Sequence, residues 1–103
     1  MAAAKPLELK RLRAQSGRAA ATLKLLANER RLLILCELAS GEASVGQLAE
    51  AVDLSQSALS QHLAKMRAES LVATRREAQS VFYRIADKTV ARLLAALKEI
   101  YCP

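Results

Sequence analysis

The side chains of this chain that could do covalent or redox chemistry are two cysteines, Cys36 and Cys102, and a single histidine, His62. A cysteine thiolate is a nucleophile and a metal ligand, and two thiols can form a disulfide when their Cα atoms come within about 7 Å. Sequence spacing does not show whether these two sulfurs meet. A cysteine on the inward side of a helix usually packs as a small apolar residue. Both interpretations of Cys36, core residue and reactive thiol, stay open from the residues alone.

His62 has no second nitrogen ligand and no acidic cluster near it in the sequence. A metal site or a catalytic base at this residue is therefore not predicted, and we expect it to pack or to contact a phosphate. The chain also has no motif for an oxyanion hole and no cofactor loop, which argues against a thiol enzyme such as a small peroxidase or persulfide reductase. We predict that the chain is not an enzyme and holds no cofactor and no metal.

The stretch from Leu54 to Arg67, LSQSALSQHLAKMR, is predicted to be a helix whose outer face enters a DNA groove. Leu59, Leu63 and Met66 form its buried stripe, since they recur with the helical period of about 3.6. The opposite face is small, polar and mostly uncharged, whereas an ordinary surface helix carries Glu and Lys. Short polar side chains let a helix approach base edges. The predicted contacts are Ser55, Gln56, Ser57, Ser60, Gln61, His62 and Lys65, and Ser55 is also the predicted N-cap.

A shorter helix precedes this one, over residues 44–52, and opens with a Ser-x-x-Gln capping box. Only a tight turn at Asp53 and Leu54 separates the two helices, which predicts a helix-turn-helix over about 44–68. Here the chain resembles the ArsR family of winged helix-turn-helix repressors, from about Leu23 to Cys102. The resemblance implies a mainly α fold with a small β-hairpin wing, in the order α-α-α-α-β-β-α, that works as a homodimer.

The segment of about 71–86 changes to strand character and is the predicted wing. Val81, Tyr83 and Ile85 alternate as in a half-buried strand, and residues 72–76 can pair with them across a turn near 77–80. Many members of the family carry a Gly in this turn and this chain does not, so its geometry stays open. Cationic side chains on a small hairpin would hold phosphates or enter a minor groove. The predicted contacts here are Arg75, Arg76, Gln79 and Arg84.

Three further helices are predicted. A helix over about 7–27 has Gly17 in its interior, where it could bend or break. Its narrow apolar face fits an intramolecular core helix and a dimer contact equally well. The next helix, over 29–39, is capped by Asn28. Its predicted buried stripe is Leu32, Leu35, Cys36 and Ala39.

The last predicted helix spans about 88–101 and is capped by Asp87. It is apolar around more than half of its circumference, and one small domain cannot cover so wide an apolar surface. In the family that the chain resembles, the first and last helices form the dimer interface. Two reading helices about 34 Å apart would then match one turn of DNA and a palindromic operator.

Length and charge agree with a single DNA-binding domain over residues 1–103. The chain is 52% hydrophobic, which is enough to form one core. With 103 residues it is too short for two domains. Its net charge of +6 favours a polyanionic partner, without choosing among DNA, RNA and an anionic membrane. No apolar run approaches the roughly 18 residues of a membrane span, and the N-terminus lacks a secretory signal. We expect a cytoplasmic protein with reduced thiols.

The family's metal sensors provide positions to compare. The arsenic and cadmium sensors need Cys-Val-Cys where this chain has Ser44, Val45 and Gly46. The zinc and nickel sensors place Asp, His, His and Glu or His on the last helix. The corresponding residues here are Asp87, Thr89, Ile100 and Pro103. Only the aspartate matches, so these metal sites are not predicted.

The positions of Cys36 and Cys102 resemble those of the thiol-responsive subgroup of the family. That resemblance implies a switch in which the two cysteines are bridged, by a disulfide or a polysulfide, in response to reactive sulfur species or oxidants. The predicted function is a homodimeric repressor that holds double-stranded operator DNA when both thiols are reduced and releases it when they are bridged. Three alternatives stay open. They are a metal-responsive repressor of the same family with a different site, a thiol enzyme, and a winged helix that binds a protein.

Overall fold

The computed structural model describes residues 5–102. Within them the chain forms five helices and three short strands, and the helix-turn-helix lies between three elements on its N-terminal side and three on its C-terminal side. The helices are α1 (Pro6–Leu26), α2 (Glu29–Ala39), α3 (Val45–Val52), α4 (Gln56–Ala68) and α5 (Lys88–Tyr101). The strands are β1 (Ala43–Ser44), β2 (Val72–Glu77) and β3 (Ser80–Ile85).

α1 is one continuous helix, so the interruption expected at Gly17 does not occur. A glycine keeps its backbone donor and acceptor, and its cost of about 1 kcal/mol in a helix interior is entropic rather than steric. The other helix-forming residues of a 21-residue segment outweigh that cost. Pro6 opens the helix at a position where its missing N–H is not needed.

Four helices begin at side-chain caps that were predicted from the sequence. Asn28, Ser55 and Asp87 each accept a hydrogen bond from a backbone N–H in the first turn. Ser44 and Gln47 form a complete capping box at the start of α3. These bonds satisfy backbone donors that a helix leaves free at its N-terminus, and they fix where each helix starts.

The sheet contains one strand that the sequence analysis missed. β1 pairs antiparallel with β3, with Ser44 opposite Phe82, so the strand order is β1-β3-β2. β2 and β3 form the predicted wing and are joined by a two-residue turn at Ala78 and Gln79. Ala78 has φ +54°, the left-handed conformation that a glycine adopts at less cost. The turn is therefore tight even without a glycine.

The buried stripe of α2 differs from the predicted one. Ile34, Leu35 and Leu38 are buried, whereas Cys36 is half-buried and Ala39 is exposed. The reason is that α2 packs against α3, α5 and β3, so its buried face is set by three neighbours rather than by one. The core that these elements share comprises Leu26, Ile34, Leu35, Leu38, Leu48, Val52, Leu59, Leu63, Met66, Leu71, Val72, Val90 and Leu94.

An apolar face of α1 and α5 is left uncovered in the single chain. Only Leu26 of α1 is buried, so an intramolecular core helix is the wrong interpretation for most of its length. No helix within residues 5–102 is long and apolar enough to cross a membrane. The exposed large apolar residues of the two helices are Leu7, Leu9, Leu12 and Leu23 on α1 and Ile100 and Tyr101 on α5.

Replacing Gly17 with Ala should raise the free energy of unfolding by about 1 kcal/mol, because the helix is continuous there and alanine loses less backbone entropy. No heavy atom lies within 4 Å of the position that the new Cβ would take. Urea denaturation followed by circular dichroism, at one fixed protein concentration, measures the change.

The matched control is Gly41→Ala, which should lower stability. Gly41 has φ +148°, a conformation that L side chains rarely adopt. A Gly17→Ala protein that is no more stable than the parent would contradict a continuous α1.

Candidate nucleic-acid interface and thiol pair

α4 presents the polar face that the sequence predicted. Leu59, Leu63 and Met66 are fully buried, which turns the other side of the helix to solvent. The residues exposed on that side and at its edges are Ser55, Gln56, Ser57, Ser60, Gln61 and Lys65. His62 is half-buried beside the apolar stripe. The structure therefore brings all but one of the predicted reading residues to one exposed surface.

The polar groups on this surface differ in how free they are to form hydrogen bonds with a ligand. The Ser55 hydroxyl accepts from the Ala58 N–H at 3.2 Å and lies 3.4 Å from the Ser57 hydroxyl. In the described part of the chain, the Ser60 and Gln61 side chains have no hydrogen-bond partner in the protein. Ser55 thus has a structural role as the cap, while Ser60 and Gln61 are open to a ligand.

The charge on α4 suits a polyanion. The helix contains no Asp or Glu between its first and last residue, and Lys65 and Arg67 lie in its last turn. A helix of this kind presents hydrogen-bonding groups to bases without a carboxylate that would repel phosphates.

Arg75, one of the predicted wing contacts, is held by other side chains. Its guanidinium donates to Glu42 and to Glu77, each at 2.7 Å, and lies 4.6 Å from the centre of the Phe82 ring. The hydrogen bond from Arg75 holds the pKa of Glu42 below its usual value, and the charge of Arg84 adds to this effect. The two carboxylates in turn raise the pKa of Arg75. Arg75 therefore fixes the wing against β1 more than it offers a free charge.

Arg76 lies on the opposite face of the wing. The strand register pairs it with Val81, whereas Arg75 pairs with Phe82, so their side chains point to different faces of the sheet. Arg76 is exposed and, within the described residues, makes no ion pair. Gln79 is exposed at the turn. Arg76, like the exposed Arg84, thus has a charge that could meet a phosphate, whereas Arg75 is held by two carboxylates.

Cys36 lies in α2 and Cys102 directly follows α5, and these two helices pack against each other. α2 and α5 are in contact, and both cysteines are free. At one end of the contact Leu32 lines a groove with Ile100, and at the other Ala39 lines a pocket with Ala91. The charges of Lys98 and Cys102 both act on the Cys36 thiol, which places Cys36 beside the C-terminal end of α5.

A hydrogen bond joins these helices beside the cysteines. Lys98 donates to the Ser40 hydroxyl at 2.7 Å. Ser40 follows Cys36 by one helical turn, and Lys98 precedes Cys102 by one turn, with the Cys102 N–H donating to the Lys98 carbonyl at 2.8 Å. The bond thus links the two segments that carry the thiols.

The two thiols differ in exposure, and the Cys36 thiol lies in an environment that shifts its pKa. Cys102 is exposed, and Cys36 is half-buried. Burial raises the pKa of the Cys36 thiol, the charge of Lys98 opposes that rise, and Cys102 adds to it. Because charges on Lys98 and Cys102 both act on Cys36, the three groups belong to one electrostatic site. Cys36 reaches its thiolate form only at a higher pH than an exposed cysteine does.

Metal ligands are scarce around these groups. Residues 5–102 contain no group of three or more His, Cys, Asp or Glu side chains that could hold a metal ion. Asp87 uses its carboxylate to cap α5. Pro103, at one of the positions compared with the zinc and nickel sensors, lies outside the described residues.

Comparison with known proteins decides the family. Residues 28–74 match the model of the bacterial regulatory proteins of the arsR family. The transcriptional activator HlyU of Vibrio cholerae is 48% identical over 97 residues, which cover 94% of this chain and 90% of HlyU. This chain belongs to the ArsR family. The prediction of a regulator rather than an enzyme is thereby confirmed, since the relatives are DNA-binding transcriptional regulators.

Solved structures confirm the winged helix-turn-helix fold. Reduced HlyU from V. cholerae has a TM-score of 0.82 and 48% identity, covering 91% of this chain and 99% of that one. The transcriptional repressor BigR from Xylella fastidiosa has a TM-score of 0.83 and 35% identity, covering 91% and 96%. A homodimeric winged helix-turn-helix DNA-binding domain from Mycobacterium bovis, Mb0332, has a TM-score of 0.69 and 37% identity, covering 97% and 89%.

Two features of this ArsR-family chain were not found from its sequence. Glu42 pairs with Arg75 across 33 residues, and Lys98 bonds to Ser40 across 58 residues. No local pattern signals such pairs, because each depends on how distant elements pack. Both involve the corner between α2 and β1, which therefore touches the wing on one side and α5 on the other.

The difference between the thiols predicts an order of modification. At neutral pH iodoacetamide should alkylate Cys102 several times faster than Cys36, because Cys102 is exposed while the raised pKa of Cys36 leaves less thiolate. Peptide mass spectrometry after short exposures measures both rates. In urea the two rates should converge, which serves as the control. Equal rates in the folded protein would contradict the half-buried position of Cys36.

Proposed function

We propose that this chain is a homodimeric DNA-binding repressor that binds its operator when Cys36 and Cys102 are reduced and releases it when they are bridged. The observation that carries the proposal is the placement of both cysteines on two packed helices, α2 and α5, of a fold whose α4 offers an uncharged polar face. Relatives that are an activator and a repressor support regulation of transcription as the role.

The proposed base contacts come from α4. Ser57, Ser60 and Gln61 would contact base edges, because their short side chains are exposed and can both donate and accept. Gln56, His62 and Lys65 flank them, and Ser55 contributes by fixing the start of the helix. Phosphate contacts position a protein on DNA without reading sequence. On the wing we assign that role first to Arg76, then to Arg84 and Gln79, with Arg75 holding the wing in place.

The homodimer is supported by the uncovered apolar face of α1 and α5. It is costly to leave in water the four leucines of α1, which are 48–61% exposed, together with Ile100 at 66% and Tyr101 at 77%. A second copy of the same chain can cover this face, as symmetric dimers do with a self-complementary surface. The homodimeric state of the Mb0332 domain supports the same arrangement. Two α4 helices would then read the two halves of a palindromic site.

The proposed inducer is a reactive sulfur species such as a persulfide, and the step balances as follows. The Cys102 thiolate attacks the outer sulfur of the persulfide, whose S–S bond breaks and releases a thiolate. The Cys36 thiolate then attacks the Cys102 sulfur, forms the S–S bridge and releases hydrosulfide. The two cysteines lose two electrons, which reduce the transferred sulfur. With peroxide as the oxidant, Cys102 becomes a sulfenic acid and Cys36 displaces water from it.

A bridge between these helices would reach the DNA-binding elements in two ways. It would tie α2 to α5, and α5 lies at the proposed dimer face, so the spacing of the two α4 helices would change. The corner after α2 also carries Glu42, which pairs with Arg75 of the wing. A coupling of about 1 to 3 kcal/mol between the thiols and the operator would weaken binding about 5- to 150-fold.

For DNA binding we expect two classes of variant. The double variant Ser57→Ala, Gln61→Ala should lose most of the preference for operator over random DNA, because base contacts carry specificity. Arg76→Ala should weaken binding to every sequence and reduce the dependence on salt, because it removes a phosphate contact. Fluorescence anisotropy with operator and scrambled duplexes at several salt concentrations measures both effects.

Arg67→Ala is a matched control for charge, since Arg67 lies at the far end of α4 and is not among the assigned contacts. It should change affinity less than Arg76→Ala. An operator preference unchanged in the Ser57/Gln61 variant would contradict the assignment of the reading surface.

For the switch, Cys36→Ser and Cys102→Ser should behave alike. Each should bind the operator and fail to release it after treatment with a persulfide donor, because a bridge needs both sulfurs. Anisotropy before the donor, after it and after a reductant measures release and recovery. If Cys36 only packs and Cys102 has no role, Cys36→Ser should instead lower stability and Cys102→Ser should change nothing.

Reversible release from a Cys102→Ser protein would overturn the two-thiol switch and leave a modification of Cys36 alone. Release caused by a metal ion, and abolished by a chelator in all three proteins, would favour the metal-responsive alternative.

A further inference from the structure

We propose that Lys98 is a positioning residue of the thiol pair, whose ammonium group, held across α2 and α5 by Ser40, supplies the positive charge that Cys36 needs in order to attack. This inference rests on the thiol switch proposed above and concerns the step that closes the bridge. It assigns a role to a residue that no motif of the sequence singled out.

The geometry provides the first support. The Lys98 Nζ donates to the Ser40 Oγ at 2.7 Å, which fixes the end of a long and otherwise flexible side chain. Ser40 follows Cys36 by one turn of α2, and Cys102 follows Lys98 by one turn of α5. The ammonium group therefore lies at the C-terminal end of α2, one turn from Cys36, and its charge acts on the Cys36 thiol.

The charges around Cys36 provide the second support. From α5, Lys98 and Cys102 act on the thiol, the first favouring the thiolate and the second disfavouring it. β3 carries Arg84, whose charge acts on Glu42. α3 carries Glu50, which is exposed. Among the described residues, Lys98 is thus the cation that offsets burial at Cys36.

The chemistry of the closing step explains why a cation is needed there. Only the thiolate of Cys36 attacks the sulfur on Cys102, and burial opposes formation of that thiolate. A helix C-terminus carries partial negative charge, so the end of α5 does not help. A nearby ammonium group stabilises the thiolate and the negative charge that passes to the leaving hydrosulfide.

A purely structural role is the competing interpretation. Lysines are common in the last turn of a helix, where they interact favourably with the helix dipole. In that case Lys98 would stabilise α5 and leave the acidity of Cys36 unchanged. The two roles differ in the pH dependence of Cys36 chemistry, which helix stability alone does not move.

The decisive experiment uses full-length protein carrying Cys102→Ser, so that Cys36 is the only thiol. The rate of alkylation of Cys36 by iodoacetamide is measured as a function of pH, with and without Lys98→Met. We expect the midpoint to move to higher pH and the rate at neutral pH to fall by about 2- to 10-fold, since tenfold corresponds to one pKa unit.

Three further variants in the same background isolate the cause. Lys98→Arg keeps the charge and should retain the parent profile, whereas Lys98→Gln keeps a donor without the charge and should resemble Lys98→Met. Lys88→Met removes the same charge from the other end of α5 and should leave the profile unchanged. Circular dichroism checks that each variant is folded. If Lys98→Met does not fold, Lys98→Gln takes its place as the neutral variant.

An unchanged pH profile in both neutral Lys98 variants would overturn this inference. The same shift with Lys88→Met would also overturn it, because net charge rather than position would then be the cause. The thiol switch is judged separately, by intact mass of the parent protein after a persulfide donor. If that measurement shows no bridge, the proposed thiol switch is wrong. The pH profiles would still decide whether Lys98 affects the acidity of Cys36.

Discussion

The packing of α2 against α5 is the contact on which most of this structure depends. It buries Ile34, Leu35 and Leu94 in the core that also supports α4. It places Cys36 near the C-terminal end of α5, where Cys102 lies, and it leaves the far side of α5 exposed with α1. One set of apolar contacts thus supports the proposed thiol site, the proposed surface for a second copy and the base beneath α4. A change in this packing would be felt at all three.

The proposed DNA-binding surface depends on a division of roles among polar and charged groups. The apolar residues of α4 pack in the core, and its hydroxyl and amide groups lie on the exposed face. On the wing Arg75 is neutralised by Glu42 and Glu77, which stabilises the hairpin against β1, while Arg76 stays exposed on the other face. Exposed ion pairs of this kind contribute little to overall stability. Their effect here is that the Arg75 charge is already paired within the protein, whereas the Arg76 charge is not.

The sequence predicted features that depend on local patterns. The helix caps at Ser44 and Asp87 and the stripe of α4 follow from short-range hydrogen bonding and periodicity, and all were confirmed. β1 was missed because it is two residues long and shares Ser44 with the capping box. The stripe of α2 was misplaced because three neighbours determine it. The pairs at Arg75 and Lys98 join distant residues, so only the packed structure reveals them.

Peptide mapping of the protein after treatment with a persulfide donor tests the central claim most directly. Trypsin cleaves after Arg31, Lys65 and Lys98, so a bridge would join residues 32–65 to residues 99–103 in one peptide. The experiment uses dimers mixed from chains labelled with the heavy nitrogen isotope and unlabelled chains. The account predicts that both halves of the bridged peptide carry the same label, because α2 and α5 of one chain pack together. Absence of the peptide, or a link between two copies of Cys102, would contradict it.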